Sequence, residues 1–235
     1  MRCGIPVLLV LVLALPVAPT WAGKLSYDQL PIPMYGNRPR TAQEQAADTK
    51  LIQTVLSITG GDREAGAKEA LKTGFQLCET GDLDTAIKRF NQAWLLIPNY
   101  PPVFHAFGWY MAKRGEVDEA ITMYKKALAL DAKYAIAMCD LARSYKDKAL
   151  TQTAPEEMLA LLSKAVTLCD EASRATTDDD NLSYIYYQWA TLLALTKNYP
   201  EAWKKIHLSR KYGGKYIEDG FTQQLSTRMS EPKND

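Results

Sequence analysis

Between residues 67 and 134 the chain writes one segment twice. Gly81, Ala86 and Ala93 recur as Gly115, Ala120 and Ala127, each 34 positions further on, and Gly74 and Phe90 recur as Gly108 and Tyr124 at the same offset. A strict period of about that length is the mark of a helix–turn–helix repeat. Such a unit cannot bury its own apolar face and has to stack on its neighbours. The repeat therefore restricts the chain to a one-dimensional, all-helical stack before any other feature is weighed.

Small and large residues alternate as the stack requires. Gly74, Gly108, Ala86, Ala120, Ala93 and Ala127 fall where helices must come close, and Phe90, Phe104, Phe107 and Tyr124 fill the space between. Gly81-Asp82 and Gly115-Glu116 make the turns inside each unit. Pro98 ends the first unit because proline cannot extend the helical hydrogen-bond ladder, and Pro101-Pro102 opens the second, a place where proline costs nothing.

These two units resemble tetratricopeptide repeats, whose pattern runs aromatic, Leu-Gly, Tyr, Ala, Phe or Tyr, Ala and Pro. The second unit carries Phe104, Phe107-Gly108, Met111, Ala120, Tyr124 and Ala127, with Met111 in place of the Tyr and Ala132 in place of the closing Pro. The first keeps Gly74, Ala86, Phe90, Ala93 and Pro98 but has Thr73 where Leu is usual. The resemblance implies an all-α fold, a right-handed superhelical solenoid of antiparallel helix pairs.

The pattern continues in weaker form. Met138, Leu141-Ala142, Tyr145 and Ala165 outline a third unit, whose turn is lengthened and whose second helix restarts at Thr153 to Glu156 with Pro155 in its first turn. A polar stretch from Ser173 to Asn181 precedes a fourth unit with Tyr186, Trp189-Ala190, Leu193, Ala202 and Ile206. The expected array occupies 62–212, with pairs at 67–100, 101–134, 135–172 and 183–212. A packing helix over 41–61 is opened by the Thr41/Glu44 capping box and stopped by Gly60-Gly61. A capping helix over 213–229 and a tail over 230–235 close the chain.

Residues 1–22 read as a secretory signal peptide: Arg2, an apolar run from Ile5 to Ala18, then Thr20-Trp21-Ala22 before the expected cleavage. A retained membrane anchor is the alternative, but a span needs about 20 apolar residues and this run is shorter, with Pro6 and Pro16 near its ends. The mature chain is expected to be exported, to the bacterial periplasm in preference to other secreted destinations, with no membrane span left. Residues 23–40 carry prolines, glycines and tyrosines without a helical period and read as an extended arm.

Composition excludes some classes. The sequence has 28 Lys+Arg against 27 Asp+Glu, with neither the basic stripe of a nucleic-acid binder nor the polybasic cluster of an anionic-membrane binder. His105 and His207 are the only histidines, and no zinc, phosphate-loop or nucleophile-elbow motif is present. The run Asp178-Asp179-Asp180-Asn181 lacks the spacing and glycine turn of a calcium loop and reads as a solvated linker that caps the next helix. No metal, cofactor or catalytic residue is assigned, and the chain reads as no enzyme.

The resemblance implies that the first helix of each unit lines a concave groove in which a partner peptide lies. Carried over by register, the groove places are Leu71, Phe75 and Cys78; His105, Trp109 and Ala112; Cys139, Arg143 and Lys146; and Tyr184, Tyr187, Gln188 and Thr191. Phe75, His105, Trp109, Arg143, Tyr184, Tyr187 and Gln188 are the candidate partner-binding residues, with Trp109, Arg143 and Tyr187 preferred as anchors because aromatic and Arg side chains dominate interface energetics. The alternative is that these aromatics are core, or that the arm fills the groove. The clamp that holds chaperone tails in this family wants Lys and Asn where this sequence has Leu71, Phe75, Ala106, Ile136 and Asp140, so that ligand is not expected.

The expected function is a non-enzymatic scaffold or adaptor for other envelope or exported proteins. Two other classes stay open: a binder of a small apolar ligand, and a cysteine-dependent enzyme that pairs Cys139 with His105. Three cysteines follow the signal, and Cys139 and Cys169 lie at the two ends of the third unit, which antiparallel helices bring together. That allows a disulfide between them, the alternative being two small buried thiols.

Overall fold

The computed structural model describes residues 32–232; the expected signal peptide at 1–22 and the first part of the arm lie outside the described residues. Ten α-helices and no strand occur among the described residues. A helix α1, Ala42–Ile58, precedes four antiparallel pairs. They are α2 Arg63–Glu79 with α3 Leu83–Leu96, α4 Pro101–Lys113 with α5 Val117–Leu130, α6 Ala135–Leu150 with α7 Pro155–Ala175, and α8 Asp179–Leu195 with α9 Tyr199–Lys211. The last helix, α10, is Asp219–Arg228.

Local chemistry starts and stops these helices. Thr41 and Glu44 close a capping box on α1, the Thr41 amide donating to Glu44 Oε2 at 2.8 Å and the Glu44 amide to Thr41 Oγ1 at 3.3 Å. Asp62 accepts from the amides of Glu64 and Ala65, and Asp82 from that of Thr85, so α2 and α3 begin with satisfied donors. Gly81 and Gly115 turn the chain at φ 85° and 80°, left-handed geometry that glycine adopts freely.

Packing explains why the repeat keeps its glycines. A Cβ on Gly74 would lie 2.3 Å from a Phe90 ring carbon, and one on Gly108 would lie 2.6 Å from Tyr124. Each aromatic of the outer helix thus rests directly on the backbone of the inner one. Helices α2, α4, α6 and α8 also pack in succession against one another, forming an inner row, with α3, α5, α7 and α9 behind them. Phe90, Phe107, Tyr110, Tyr124 and Trp203 are the largest side chains sealed between the rows.

Two elements differ from the sequence expectation. The polar linker expected from Ser173 to Asn181 shrinks to residues 176–178, because α7 runs on to Ala175 and α8 already starts at Asp179. Asp178 caps α8 by accepting from the Asn181 amide at 2.8 Å, and Asp179 and Asp180 in the first turn complement the positive end of the helix. The described end of the arm is not simply extended: Pro33–Asn37 forms one short turn that buries Tyr35. It rests on α3, where Asn91 Nδ2 donates to the Ile32 carbonyl at 3.0 Å and Tyr35 meets Trp94 edge-on. This part of the arm lies behind the inner row.

Candidate partner-binding groove

The inner row opens with an aromatic group. His105 and Trp109 are four residues apart on α4 and share a face; Phe75 approaches them from α2, its ring centre 5.8 Å from His105 and 5.5 Å from Trp109. Phe75 and Trp109 are half-buried, and Lys113 Nζ sits 4.8 Å from the centre of the Trp109 ring. His105 is only 7% exposed. It belongs beneath this surface.

Its partner is Asp140, the feature sequence reasoning missed. His105 Nε2 and Asp140 Oδ2 are 2.8 Å apart, the Tyr184 hydroxyl donates to Asp140 Oδ1 at 2.7 Å, and Arg143 approaches the same oxygen at 3.7 Å. One carboxylate, 3% exposed, therefore links α4, α6 and α8. Burial pushes its pKa up, but the His105 hydrogen bond, the Arg143 charge and the Tyr184 hydroxyl outweigh this and hold it below the usual carboxylate value. The one sequence signal was an acid inside the apolar run around Leu141-Ala142, one repeat after a histidine.

Beyond Arg143 the inner face widens into a cleft between α6, α8 and α10. It consists of two adjoining hollows of about 570 and 440 Å³ that share Lys146, Thr191, Phe221 and Gln224. Gln188 lines the second hollow together with Tyr187. Tyr187, expected as an anchor, has little free surface, because Phe221 of α10 packs edge-on against its ring at 5.7 Å and Leu225 is buried in the same cluster. Burial and the neighbouring Glu218 carboxylate push the Tyr187 hydroxyl up to about 12. Tyr184 likewise serves the Asp140 hub and meets Tyr216 edge-on.

A family profile described as "TPR repeat" matches residues 111–148, from the end of α4 through α5 to α6. The described helices share the tetratricopeptide-repeat fold, an all-helical solenoid of antiparallel pairs. Among solved structures, a chain of the APC/C hetero-tetramer Cut9–Hcn1 aligns at TM-score 0.55 and 17% identity, over 80% of this chain and 35% of that one. PilF of Pseudomonas aeruginosa aligns at 0.55 and 15%, over 73% of this chain and 79% of its own. A thermophilic TPR protein of Thermus thermophilus aligns at 0.46 and 16%, covering 69% and 98%. At these identities the likeness is one of fold. No curated protein matches the sequence.

Tetratricopeptide-repeat proteins are in general scaffolds, and the thiols here lack the setting of nucleophiles. Cys139 on α6 and Cys169 on α7 are fully buried free thiols in hydrogen-bonding reach of each other. Burial and the neighbouring Cys169 push the Cys139 thiol well above its usual value, the reverse of activation. His105, the base that a Cys139 enzyme would need, is committed to Asp140. Burial likewise pushes Cys78 up to about 11. Among the described residues no group of three or more His, Cys, Asp or Glu could hold a metal ion, and no helix is long and apolar enough to cross a membrane.

Proposed function

We propose that this tetratricopeptide solenoid is a non-enzymatic scaffold or adaptor of the cell envelope that binds a peptide or helix of an exported partner along its inner face. The carrying observation is the continuity of that face. Half-buried Phe75 and Trp109, then Arg143, then Thr191 follow one another on successive inner helices, while the described part of the arm packs behind them. Half-buried aromatic and Arg side chains on rigid helices lose little entropy on contact, which makes them effective anchors. The envelope location rests on Arg2, the apolar run from Ile5 to Ala18 and the small residue Ala22.

Site-specific photo-crosslinking in the native host tests the groove without disturbing the core. A benzophenone side chain replacing Trp109 should give a discrete adduct, and the same group replacing exposed Leu159 on the outer helix α7 should not. Adducts from Leu159 with none from Trp109 would remove the inner face from the account. Cell fractionation of the full tagged chain tests location: recovery in the cytosol with residues 1–22 intact would overturn export.

A further inference from the structure

The cleft between α6, α8 and α10 has a chemistry that defines its occupant further. Among the described residues Arg143, Lys146, Lys197 and Arg228 line its two hollows against a single acid, Glu218. The whole sequence is nearly neutral, with 28 bases to 27 acids, so this local excess is a property of the cleft. Two of the cations are under-used. Lys146 is half-buried and makes no hydrogen bond or ion pair among the described residues. Arg143 has one ion pair among them, the long 3.7 Å approach to Asp140, an oxygen already taken by Tyr184 at 2.7 Å. Burial pushes the Lys146 ammonium's pKa down and outweighs the charge of the adjacent Asp147, as a desolvated cation without a bonded counter-charge requires.

Apolar surface borders these charges. Leu150 at the end of α6 is 58% exposed and Leu195 at the end of α8 is 43% exposed, and both line the larger hollow with Phe221. Leucines left open beside a desolvated lysine make a surface that gains from being covered. A ligand that matched it would present a carboxylate to Arg143 and Lys146 and an aliphatic or aromatic side chain to Leu150, Leu195 and Phe221.

We propose that this cleft is the specificity site of the scaffold and takes an acidic peptide segment in which carboxylate side chains alternate with large apolar ones. The proposal rests on the peptide-binding reading above. An extended segment fits because its side chains alternate in direction along the chain, which lets one residue meet the cations and its neighbours the leucines. Charge-assisted hydrogen bonds to a carboxylate favour it over an amide of the same shape.

The test uses the full chain and three fluorescein-labelled peptides alternating leucine with glutamate, with glutamine or with lysine. Fluorescence anisotropy should show the glutamate peptide binding at least about tenfold more tightly than the glutamine one, with the preference falling as salt is added. Lys146→Glu together with Arg228→Glu leaves two cations against three acids and should invert the order so that the lysine peptide binds best, an outcome that mere unfolding cannot give. Equal affinity for the glutamate and glutamine peptides, or an order unchanged by this double reversal, overturns the proposal. So does tighter binding of laurate than of any peptide, or a dimer of the chain that Lys146→Glu dissolves, each of which assigns the cleft to another occupant. If native-partner adducts at Trp109 survive Lys146→Glu, the charge site fails while the groove stands; if no adduct forms at Trp109 in the wild type, the groove itself fails.

Discussion

His105 on α4 and Asp140 on α6 meet through a 2.8 Å contact that is closed off from solvent and completed by Tyr184 of α8. Nothing comparable joins the outer helices: among the described residues the other buried side-chain pairs, Ser183 with Ser209 and Cys139 with Cys169, each stay within one unit. The inner row is thus fastened by a charged hub as well as by packing, and the hub lies directly behind the surface proposed to bind. Removing Asp140 leaves His105, Arg143 and Tyr184 without their common acceptor. Asp140→Ala should cost about 3–5 kcal/mol, read as a lower urea midpoint at unchanged slope. A loss below about 1 kcal/mol would place the hub on the surface instead.

Acid should loosen the same hub. The Asp140 carboxyl is held below its ordinary value of 3.8 in the folded chain. A group whose pKa is lower folded than unfolded contributes stability that is complete above the unfolded value and is lost as pH falls through the folded one. The gap in urea midpoint between wild type and Asp140→Asn should therefore narrow below about pH 4. A gap that widens there would reverse the sign of the argument.

Gly74 and Gly108 carry the repeat's tightest contacts. Alanine at either would drive its methyl group into the ring of Phe90 or Tyr124, with no room to spare at 2.3 and 2.6 Å. Overpacking of this kind costs about 1–3 kcal/mol, so Gly74→Ala and Gly108→Ala should each lower the melting temperature. Pairing Gly74→Ala with Phe90→Leu should recover part of the loss, and a double variant worse than the sum of both would show that the ring is not the obstacle.

The thiols should be silent in the folded chain. At pH 8 a Cys78 thiol raised to about 11 is ionised to only about one part in a thousand, and the Cys139 thiol to less. Iodoacetamide should label reduced, folded protein slowly at both residues and label Cys78, Cys139 and Cys169 once urea is added. Rapid labelling of Cys139 in the native state, abolished by His105→Ala, would restore the cysteine-enzyme reading.

The fold was legible because its constraints recur. A glycine under an aromatic ring is needed in each regular unit, so Gly74 with Phe90 and Gly108 with Tyr124 print a period that sequence displays directly. The hub did not repeat and so left no such trace. Asp140 draws on partners 35 and 44 positions away, and a single acid on a helix looks solvent-facing until its neighbours are placed. Register found the helix faces of Tyr184 and Tyr187, but the cover that α10 and Tyr216 lay over them depends on how the chain returns after Gly213 and Gly214. Register led to the expectation of Lys146 on the inner face; its lack of a bonded counter-charge among the described residues could only be seen in three dimensions.

Lys197 occupies the place that Gly81 and Gly115 hold in the regular units. In all three turns this residue's amide donates to the carbonyl three back, and the next amide to the carbonyl five back: Gly81 to Cys78 and Asp82 to Leu77, Gly115 to Ala112 and Glu116 to Met111, Lys197 to Ala194 and Asn198 to Leu193. The geometry demands positive φ, and Lys197 sits at 62° with a side chain that disfavours it. Left-handed backbone at a non-glycine residue costs about 1 kcal/mol or more, while glycine's extra freedom in the unfolded chain takes back part of that gain. Lys197→Gly should therefore stabilise the chain by about 0.5–1 kcal/mol, raising the melting temperature by about 1–4 °C. Lys197→Ala, which keeps the Cβ and removes only the charge, should give no such rise. If both variants are equally stabilised, the strain lies in the crowding of Lys197 with the other cations of the cleft and not in the turn.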